Sequence, residues 1–216
     1  MAYKRKRSIR KRMGKKRKPY RRKYPMYRQL DSNRMNVCLR TADTLIANSN
    51  LSEQYVSYRF QLSACLNYTN YRDMWDQYKI NKVVVTWTPV RTQSVVQQVD
   101  DVTPSTTTNV PSYVVAKDID DLTQISYEDV KSRYGAVERI ATKGFKMVLK
   151  PAMLTEVYQG PVSTAYSPQY NTWLDTANNT VPHYGIRFAI ESAEPSGYYA
   201  LECKTWIYVS FKNRVI

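Results

Sequence analysis

Beyond residue 28 the chain alternates apolar and polar positions with a period of two, which is the pattern of strands with one buried face. In the strongest run, at 199–212, apolar side chains such as Leu201 and Ile207 alternate with Lys204 and Lys212. The run at 80–90 is β-branched on both faces, which predicts a central strand covered on both sides. In all, the pattern predicts eight strands, at 35–40, 55–64, 80–90, 113–117, 139–150, 153–158, 185–191 and 199–212.

Two stretches between these strands carry helical spacing instead. In the first, apolar residues recur at i, i+3, i+4 and i+7 behind Asn70. In the second, they recur behind Ser126, with Asp129 three residues further on, as in a capping box. Both stretches predict short helices whose aromatic faces pack on the core. Their apolar residues are Tyr71, Met74, Trp75 and Tyr78 in the first, and Tyr127, Val130 and Tyr134 in the second.

Eight antiparallel strands joined by long polar connections, at 92–111 and 160–182, favour a sandwich. One open sheet of this width would leave an apolar face and two edges exposed. We therefore predict an all-β fold at 29–216, a single jelly-roll sandwich of two four-stranded antiparallel sheets with two short helices in its loops. An immunoglobulin-like sandwich fits less well, because its Cys…Trp…Cys arrangement is absent. The two long connections are the expected outer loops.

Charge divides the chain into two parts. It has 33 Lys or Arg against 18 Asp or Glu, a net charge of +15. Residues 1–28 hold fifteen of the basic residues and no acidic one, so 33 − 15 = 18 basic residues stand against 18 acidic ones at 29–216. The body is therefore formally neutral, and the whole net charge belongs to an N-terminal arm, residues 1–28.

The arm has too few large apolar residues to offset the entropy cost of folding, and its like charges repel, so we predict that it is disordered. Its natural partner is a polyanion, because each Lys or Arg that neutralises a phosphate releases condensed counterions. The predicted nucleic-acid-binding residues are Lys4, Arg5, Lys6, Arg7, Arg10, Lys11, Arg12, Lys15, Lys16, Arg17, Lys18, Arg21, Arg22, Lys23 and Arg28.

Four tyrosines interleave with these charges, namely Tyr3, Tyr20, Tyr24 and Tyr27. Such rings can stack on unpaired bases, which would favour single strands over duplexes. The alternative is that the last two only anchor the arm to the body. A merely solubilising tail is the less favoured alternative for the arm as a whole, because so dense a cationic run also attracts nucleic acid non-specifically.

The arm also fits a nuclear localisation signal, which would bind nuclear import receptors. Its two basic clusters are Lys4, Arg5, Lys6 and Arg7, and then Lys15, Lys16, Arg17 and Lys18. A secretory signal does not fit because no apolar stretch follows, and a mitochondrial transit peptide does not fit because the arm has one Ser and no apolar stripe. No stretch approaches the roughly 20 apolar residues of a membrane span, so no membrane partner is expected.

Catalytic chemistry is poorly supported, and we expect neither an enzyme nor a cofactor. The single histidine, His183, excludes any two-histidine metal motif. A nucleophile paired with His183 has no recognisable elbow motif around it, so a hydrogen-bonded histidine at the entry to a strand is the favoured interpretation. No glycine-rich phosphate loop is present.

The cysteines and one acidic cluster are the remaining candidates for chemistry. Cys38, Cys65 and Cys203 are far apart and form no CxxC pair, so they predict small buried thiols rather than a zinc site or disulfides. Asp118, Asp120 and Asp121 could hold Ca²⁺ between subunits of a shell, but their spacing is not that of an EF-hand. A solvated loop is the favoured interpretation of this cluster, and no metal is predicted.

Four features, in order along the chain, resemble the capsid protein of circovirus-like viruses, which have small circular single-stranded DNA genomes. They are the basic arm, the stretch YRDMWDQYKINKVVVTWTP at 71–89, the segments WLDT at 173–176 and VPHYGI at 181–186, and a strand that ends YVSFK at 208–212. The arm is richer in Lys relative to Arg than in the best-known members, which leaves the genus open.

The resemblance implies a jelly-roll protein whose copies assemble into the smallest icosahedral (T=1) shell, with the arms inside on the single-stranded DNA genome. It implies residence in the virion, with assembly in the host nucleus. The sequence identifies no host-cell attachment factor. The nineteen tyrosines and four tryptophans are too many for one core, and they agree with a body that packs against copies of itself.

Three other functions fit parts of the pattern. An RNA-virus coat protein of similar fold would need the same arm. A cellular nucleic-acid-binding protein, of a ribosomal or chromatin kind, would also carry such an arm but would work as a single copy. An enzyme of nucleic-acid processing with a basic tether is the third, and it would depend on His183 or on the Asp118 cluster.

Overall fold

The structure is a computed structural model that describes residues 33–48, 53–94, 110–119, 126–159, 164–192 and 197–215. The whole arm lies outside the described residues, and so does most of the first predicted outer loop. In the described part the all-β prediction is confirmed, because antiparallel strands form two sheets that face each other across one core.

The described chain contains twelve strands, two short helices and two 3-10 turns. The strands are β1 Arg34–Arg40, β2 Thr44–Asn48, β3 Gln54–Phe60, β4 Trp75–Ser94, β5 Ser112–Lys117, β6 Val137–Ile140, β7 Phe145–Leu149, β8 Ala152–Gln159, β9 Thr164–Tyr170, β10 Leu174–Asp175, β11 His183–Ile190 and β12 Gly197–Arg214. The helices are α1 Tyr68–Arg72 and α2 Tyr127–Lys131, and the 3-10 turns are Leu62–Ala64 and Thr176–Asn178.

The first sheet is built on one long antiparallel pair, β4 with β12. The pairing runs from Ser94 opposite Gly197 to Trp75 opposite Arg214. The other edge of β12 pairs with β1 and β2, and the other edge of β4 pairs with β7 and β10. This sheet therefore has six strands.

The second sheet is centred on β11, which pairs with β3 along one edge and with β5 along the other. β6 continues the sheet beyond β5, and β8 and β9 extend it from the pair of Tyr184 with Ala152. Strand β9 lies at the edge of this sheet. This sheet also has six strands rather than four.

The prediction of two four-stranded sheets is therefore right in architecture and wrong in strand number. The predicted strand at 139–150 is two strands, because the chain turns after Ile140 and β6 and β7 belong to different sheets. The predicted loop at 160–182 contains β9, β10 and a 3-10 turn, and β2 was not predicted. These additional strands are short or polar, so their own sequence carries little alternation.

The core is organised around Trp87, which lies on β4 and is fully buried. Its ring stacks on Phe188 of the facing sheet at 5.9 Å between centroids, and on Phe145 at 6.1 Å. Its Nε1–H donates a hydrogen bond of 2.9 Å to the hydroxyl of Tyr58, and that hydroxyl donates to the Cys203 thiol at 3.2 Å. The two sheets are thus joined by aromatic packing and by a satisfied polar chain. The prediction that 80–90 is covered on both faces holds only at 83–85, where all three valines are buried. It is wrong at Lys82, Thr88 and Val90, which are exposed.

The first predicted helix is wrong in position. Helix α1 ends at Arg72, and Trp75 and Tyr78 are buried residues of β4. Their spacing fits a helix, but pairing with β12 gives them a longer set of backbone hydrogen bonds than a short isolated helix could form.

The second predicted helix is confirmed as α2, with the capping box formed by Ser126 and Asp129. Its Tyr127 and Val130 pack on Val114 and Ala189, on the side of the second sheet that faces away from the main core. Tyr134, the last residue of the predicted apolar face, is instead fully exposed.

Candidate nucleic-acid and assembly surfaces

The predicted nucleic-acid-binding residues, stacking tyrosines and nuclear localisation clusters all fall in the arm and lie outside the described residues. The described chain begins at Asn33, which is bound to the end of β12. The Asn33 carbonyl accepts a hydrogen bond of 3.2 Å from the Asn213 amide, and its Oδ1 accepts one of 3.3 Å from the Arg214 amide. The sequence that follows the arm is thus fastened to one corner of the first sheet.

Asp118, the described member of the predicted acidic cluster, is buried rather than part of a solvated loop. It is buried just after β5 and forms ion pairs with Arg187 on β11 and with Arg133 just after α2. Two cationic side chains thus balance the charge of this buried carboxylate. The described residues contain no cluster of three or more metal-ligating side chains, while Asp120 and Asp121 lie outside them.

His183 is the first residue of β11 and is buried. Its Nδ1–H donates to the Val181 carbonyl at 3.1 Å, because a carbonyl can only accept. This confirms the prediction of a hydrogen-bonded histidine at a strand entry. Burial lowers the pKa of His183 from its ordinary value of 6.5, so the neutral ring is favoured at neutral pH.

The three cysteines are free thiols. Cys65 and Cys203 are buried as predicted, and burial raises the pKa of the Cys65 thiol to about 12. Cys38 departs from the prediction, because its side chain lies on the exposed face of β1.

Three of the exposed large apolar side chains lie on β8 and β9, at the edge of the second sheet. Val157 is 66% exposed, Tyr166 59% and Tyr170 44%. An exposed edge strand presents unpaired backbone groups beside these side chains. This edge is therefore a candidate contact surface between copies, which agrees with the predicted excess of aromatic residues.

The sequence analysis missed three lysines that the fold brings to one face of the first sheet. Lys79 and Lys82 lie on β4 and Lys212 lies on β12, and each ammonium group rests against an aromatic ring. The alternation at 199–212 already placed Lys212 on the outward face. The register between β4 and β12 was needed to show that the three lysines lie on one face of the sheet.

Solved structures with a similar fold are viral coat proteins. The crystal structure of the 60-mer BFDV capsid protein matches with a TM-score of 0.64 and 15% identity, over 86% of this chain and 97% of that chain. The decameric BFDV capsid protein matches with a TM-score of 0.53 and 18% identity, over 83% and 99%. Cucumber Necrosis Virus matches with a TM-score of 0.51 and 13% identity, over 85% and 57%. At these identities the likeness establishes the fold, a jelly roll of the viral capsid type.

The family follows from the sequence itself. The family model of the circovirus capsid protein matches residues 4–215, so the chain belongs to the circovirus capsid protein family. This confirms the predicted resemblance. The family comprises viral capsid proteins and not enzymes, and membership assigns the chain to the virion.

No curated protein sequence matches the chain. Among the described helices none has the length and apolar character that crossing a membrane requires.

We expect the Asp118–Arg187 pair to behave as a buried ion pair when one or both of its charges are removed. Asp118→Asn alone replaces the carboxylate beside a buried guanidinium with a neutral amide, and it should lower the free energy of unfolding by about 3–5 kcal/mol. Asp118→Leu combined with Arg187→Met removes both charges and should cost much less. Urea unfolding of the unassembled chain measures the free energy of unfolding of both variants. Equal costs for the single and the double variant would contradict the ion pair, and Asp76→Asn is a matched control at an exposed carboxylate.

The buried His183 should make the protein less stable as the pH falls. Its pKa is lower in the folded state than in the unfolded state, so the unfolded chain takes up the proton first and stability declines below about pH 6.5. His183→Asn, which can still donate to Val181, removes this dependence. The difference in unfolding free energy between variant and wild type should change by up to about 1.4 kcal/mol per pH unit between pH 7 and 5. Parallel pH curves for the two proteins would show that the histidine is not responsible.

Proposed function

We propose that sixty copies of this chain form the smallest icosahedral shell and that the arm packages circular single-stranded DNA within it. The BFDV neighbour is a 60-mer, and this chain covers 97% of it, so the body described here has the parts that such a shell subunit contains. The exposed edge formed by β8 and β9 supplies apolar contact area for a neighbouring copy.

The observation that carries the packaging proposal is the segregation of charge. All of the net +15 belongs to residues 1–28, while residues 29–216 are formally neutral. A neutral body can approach its copies without net repulsion, and a cationic arm binds a polyanion whatever its sequence. Sixty arms of fifteen charges supply on the order of 900 positive charges, against roughly 650 nucleotides for the gene of this chain alone. The arms and a small genome are thus of comparable charge.

The arm variant that tests packaging replaces the eleven Lys and Arg residues at 4–18 with Gln. We expect particles that hold far less nucleic acid, measured by the ratio of absorbance at 260 and 280 nm in purified shells. The matched control changes every Arg of the arm to Lys, which preserves the charge and therefore the counterion release, and it should package normally. Variant shells filled to the wild-type level would refute the role of the arm.

The same particles identify the cargo. Nucleic acid extracted from wild-type shells should be resistant to ribonuclease, degraded by a nuclease specific for single strands, and circular on sequencing. RNA in shells made where the viral genome replicates would overturn the DNA assignment and favour the RNA-coat alternative.

We further propose that the two basic clusters at 4–7 and 15–18 bind nuclear import receptors. In cells, a reporter too large to diffuse through nuclear pores should enter the nucleus when fused to residues 1–28. Replacing the eight residues of the two clusters with Gln should leave the reporter in the cytoplasm. The control replaces the other seven basic residues, at 10–12, 21–23 and 28, and should remain nuclear. Equal loss of import in both variants would show that total charge, not these clusters, is read.

A further inference from the structure

We propose that the body carries a second nucleic-acid site, a platform of Lys79, Lys82 and Lys212 around Trp173 and Tyr208 that binds unpaired nucleotides. This platform lies on the face of the first sheet that points away from the core of the sandwich. The inference rests on the proposed function, in which the chain packages single-stranded nucleic acid, and it adds a site outside the arm.

The geometry of the platform is set by cation–π contacts. The ammonium groups of Lys79 and Lys212 lie 4.7 and 4.6 Å from the centroid of the Trp173 ring. The ammonium group of Lys82 lies 4.1 Å from the centroid of the Tyr208 ring. All three distances are within the roughly 6 Å over which a ring attracts a cation. The lysines are therefore positioned by neutral groups.

Strand register explains why residues so far apart in sequence meet. Tyr208 is directly opposite Lys82, and Lys212 is opposite Gln77 one strand away. Leu174 of β10 is opposite Tyr78, which places Trp173 beside Lys79. A cross-strand pair shares one face of a sheet, so the rings and the lysines project from the same side.

The platform keeps its positive charge, unlike two other cations of the same sheet. Lys204 is paired with Glu202 at 2.7 Å, and Arg40 forms an ion pair with Asp43. Within the described residues no carboxylate lies within ion-pairing distance of the three platform lysines. A ring holds an ammonium group in place without neutralising it, so the charge stays available to a phosphate.

One feature of the pairing is unfavourable for the fold alone. Arg34 is directly opposite Lys212 across β1 and β12, and like charges in that position destabilise a sheet. A local rule broken in this way is expected at a functional site. Arg34 also follows Asn33, the point at which the sequence after the arm joins the body. The platform therefore continues the basic character of the arm onto the folded domain.

The chemistry selects an unpaired strand. A single strand offers both phosphates for the lysines and free base faces for aromatic rings, whereas a duplex hides its base faces within the stack. Trp173 and Tyr208 are only half-buried, so part of each side chain is accessible beside the lysines. An interface with a second copy fits less well, because lysines are depleted in interfaces and three of them would be desolvated without acidic partners. Asp175, which shares this side, accepts a hydrogen bond of 2.8 Å from the Ala177 amide, and it forms no ion pair with any of the described residues.

The test uses the full chain with fluorescent oligothymidylate and a duplex of equal length, titrated over a series of salt concentrations. Replacing the three platform lysines with Gln should reduce the slope of log affinity against log salt by about two for the single strand. Trp173→Leu should weaken binding of the single strand about five- to a hundred-fold, and Trp173→Phe should retain most of the affinity. Both effects should be much smaller on the duplex.

The matched control replaces Lys117, Lys143 and Lys150 with Gln, which removes the same charge from exposed positions elsewhere. Photocrosslinking of a halogenated oligonucleotide in assembled particles gives a readout independent of affinity. Crosslinks should map to the peptides that contain Trp173 or Tyr208, and they should disappear in Trp173→Leu.

Two results would overturn the platform. In the first, the platform variant binds both oligonucleotides like the control variant while the arm variant loses binding, so that the arm acts without a site on the body. In the second, the platform variant fails to form shells but binds normally, so that this face joins copies of the chain. If the platform variant and the arm variant both bind like wild type, the proposed packaging role of the arm is refuted. Failure of the platform proposal can thus be distinguished from failure of the proposed function.

Discussion

The antiparallel pairing of β4 with β12 determines where almost every important side chain lies. One face of this pair supplies Tyr78, Trp87, Ile207 and Phe211 to the core, and the other face carries the three platform lysines. Because side chains alternate along a strand, a slip of one residue would exchange the two faces and put lysines into the core. The cost of that exchange specifies the register strongly. The same constraint therefore fixes both the packing of the sandwich and the geometry of a surface that could bind a ligand.

The second sheet is joined to the β4–β12 pair by aromatic stacking and by a chain of hydrogen bonds. Trp87 stacks on Phe188 across the core, while its indole N–H is satisfied by Tyr58, whose hydroxyl reaches Cys203 on β12. Buried polar groups stabilise a single arrangement only when each finds a partner, as these do. On the far side of the second sheet, Asp118 and Arg187 join β5 to β11, and Arg133 ties the end of α2 to them. The sandwich thus has a specific polar link on each side of the second sheet.

Local alternation was sufficient to predict β12, which alternates over its whole length, but it predicted only 80–90 of β4. It was insufficient for β9, whose sequence TAYSPQY is polar and contains Pro168, and which becomes a strand only by pairing with β8. At Trp75 and Tyr78 the same residues fit a helix and a strand, and a distant partner decided between them. Asp118 was placed in a solvated loop because its partner Arg187 is 69 residues away and nothing local points to it. What the sequence could not supply, in each case, is which distant segment pairs with which.

The same limitation applies to charge. Net charge is a sum over sequence, and it assigns a neutral body to residues 29–216. The folded body is nevertheless uneven, because Lys204 and Arg40 are neutralised by carboxylates while Lys79, Lys82 and Lys212 are held by rings. A dense arm binds any polyanion, with an affinity set by the number of charges and the salt concentration. A fixed set of lysines beside half-exposed rings can in addition distinguish a single strand from a duplex. Affinity for nucleic acid would then come from the arm and depend on its composition. Selectivity for a single strand would come from the platform and depend on the strand register that assembles it.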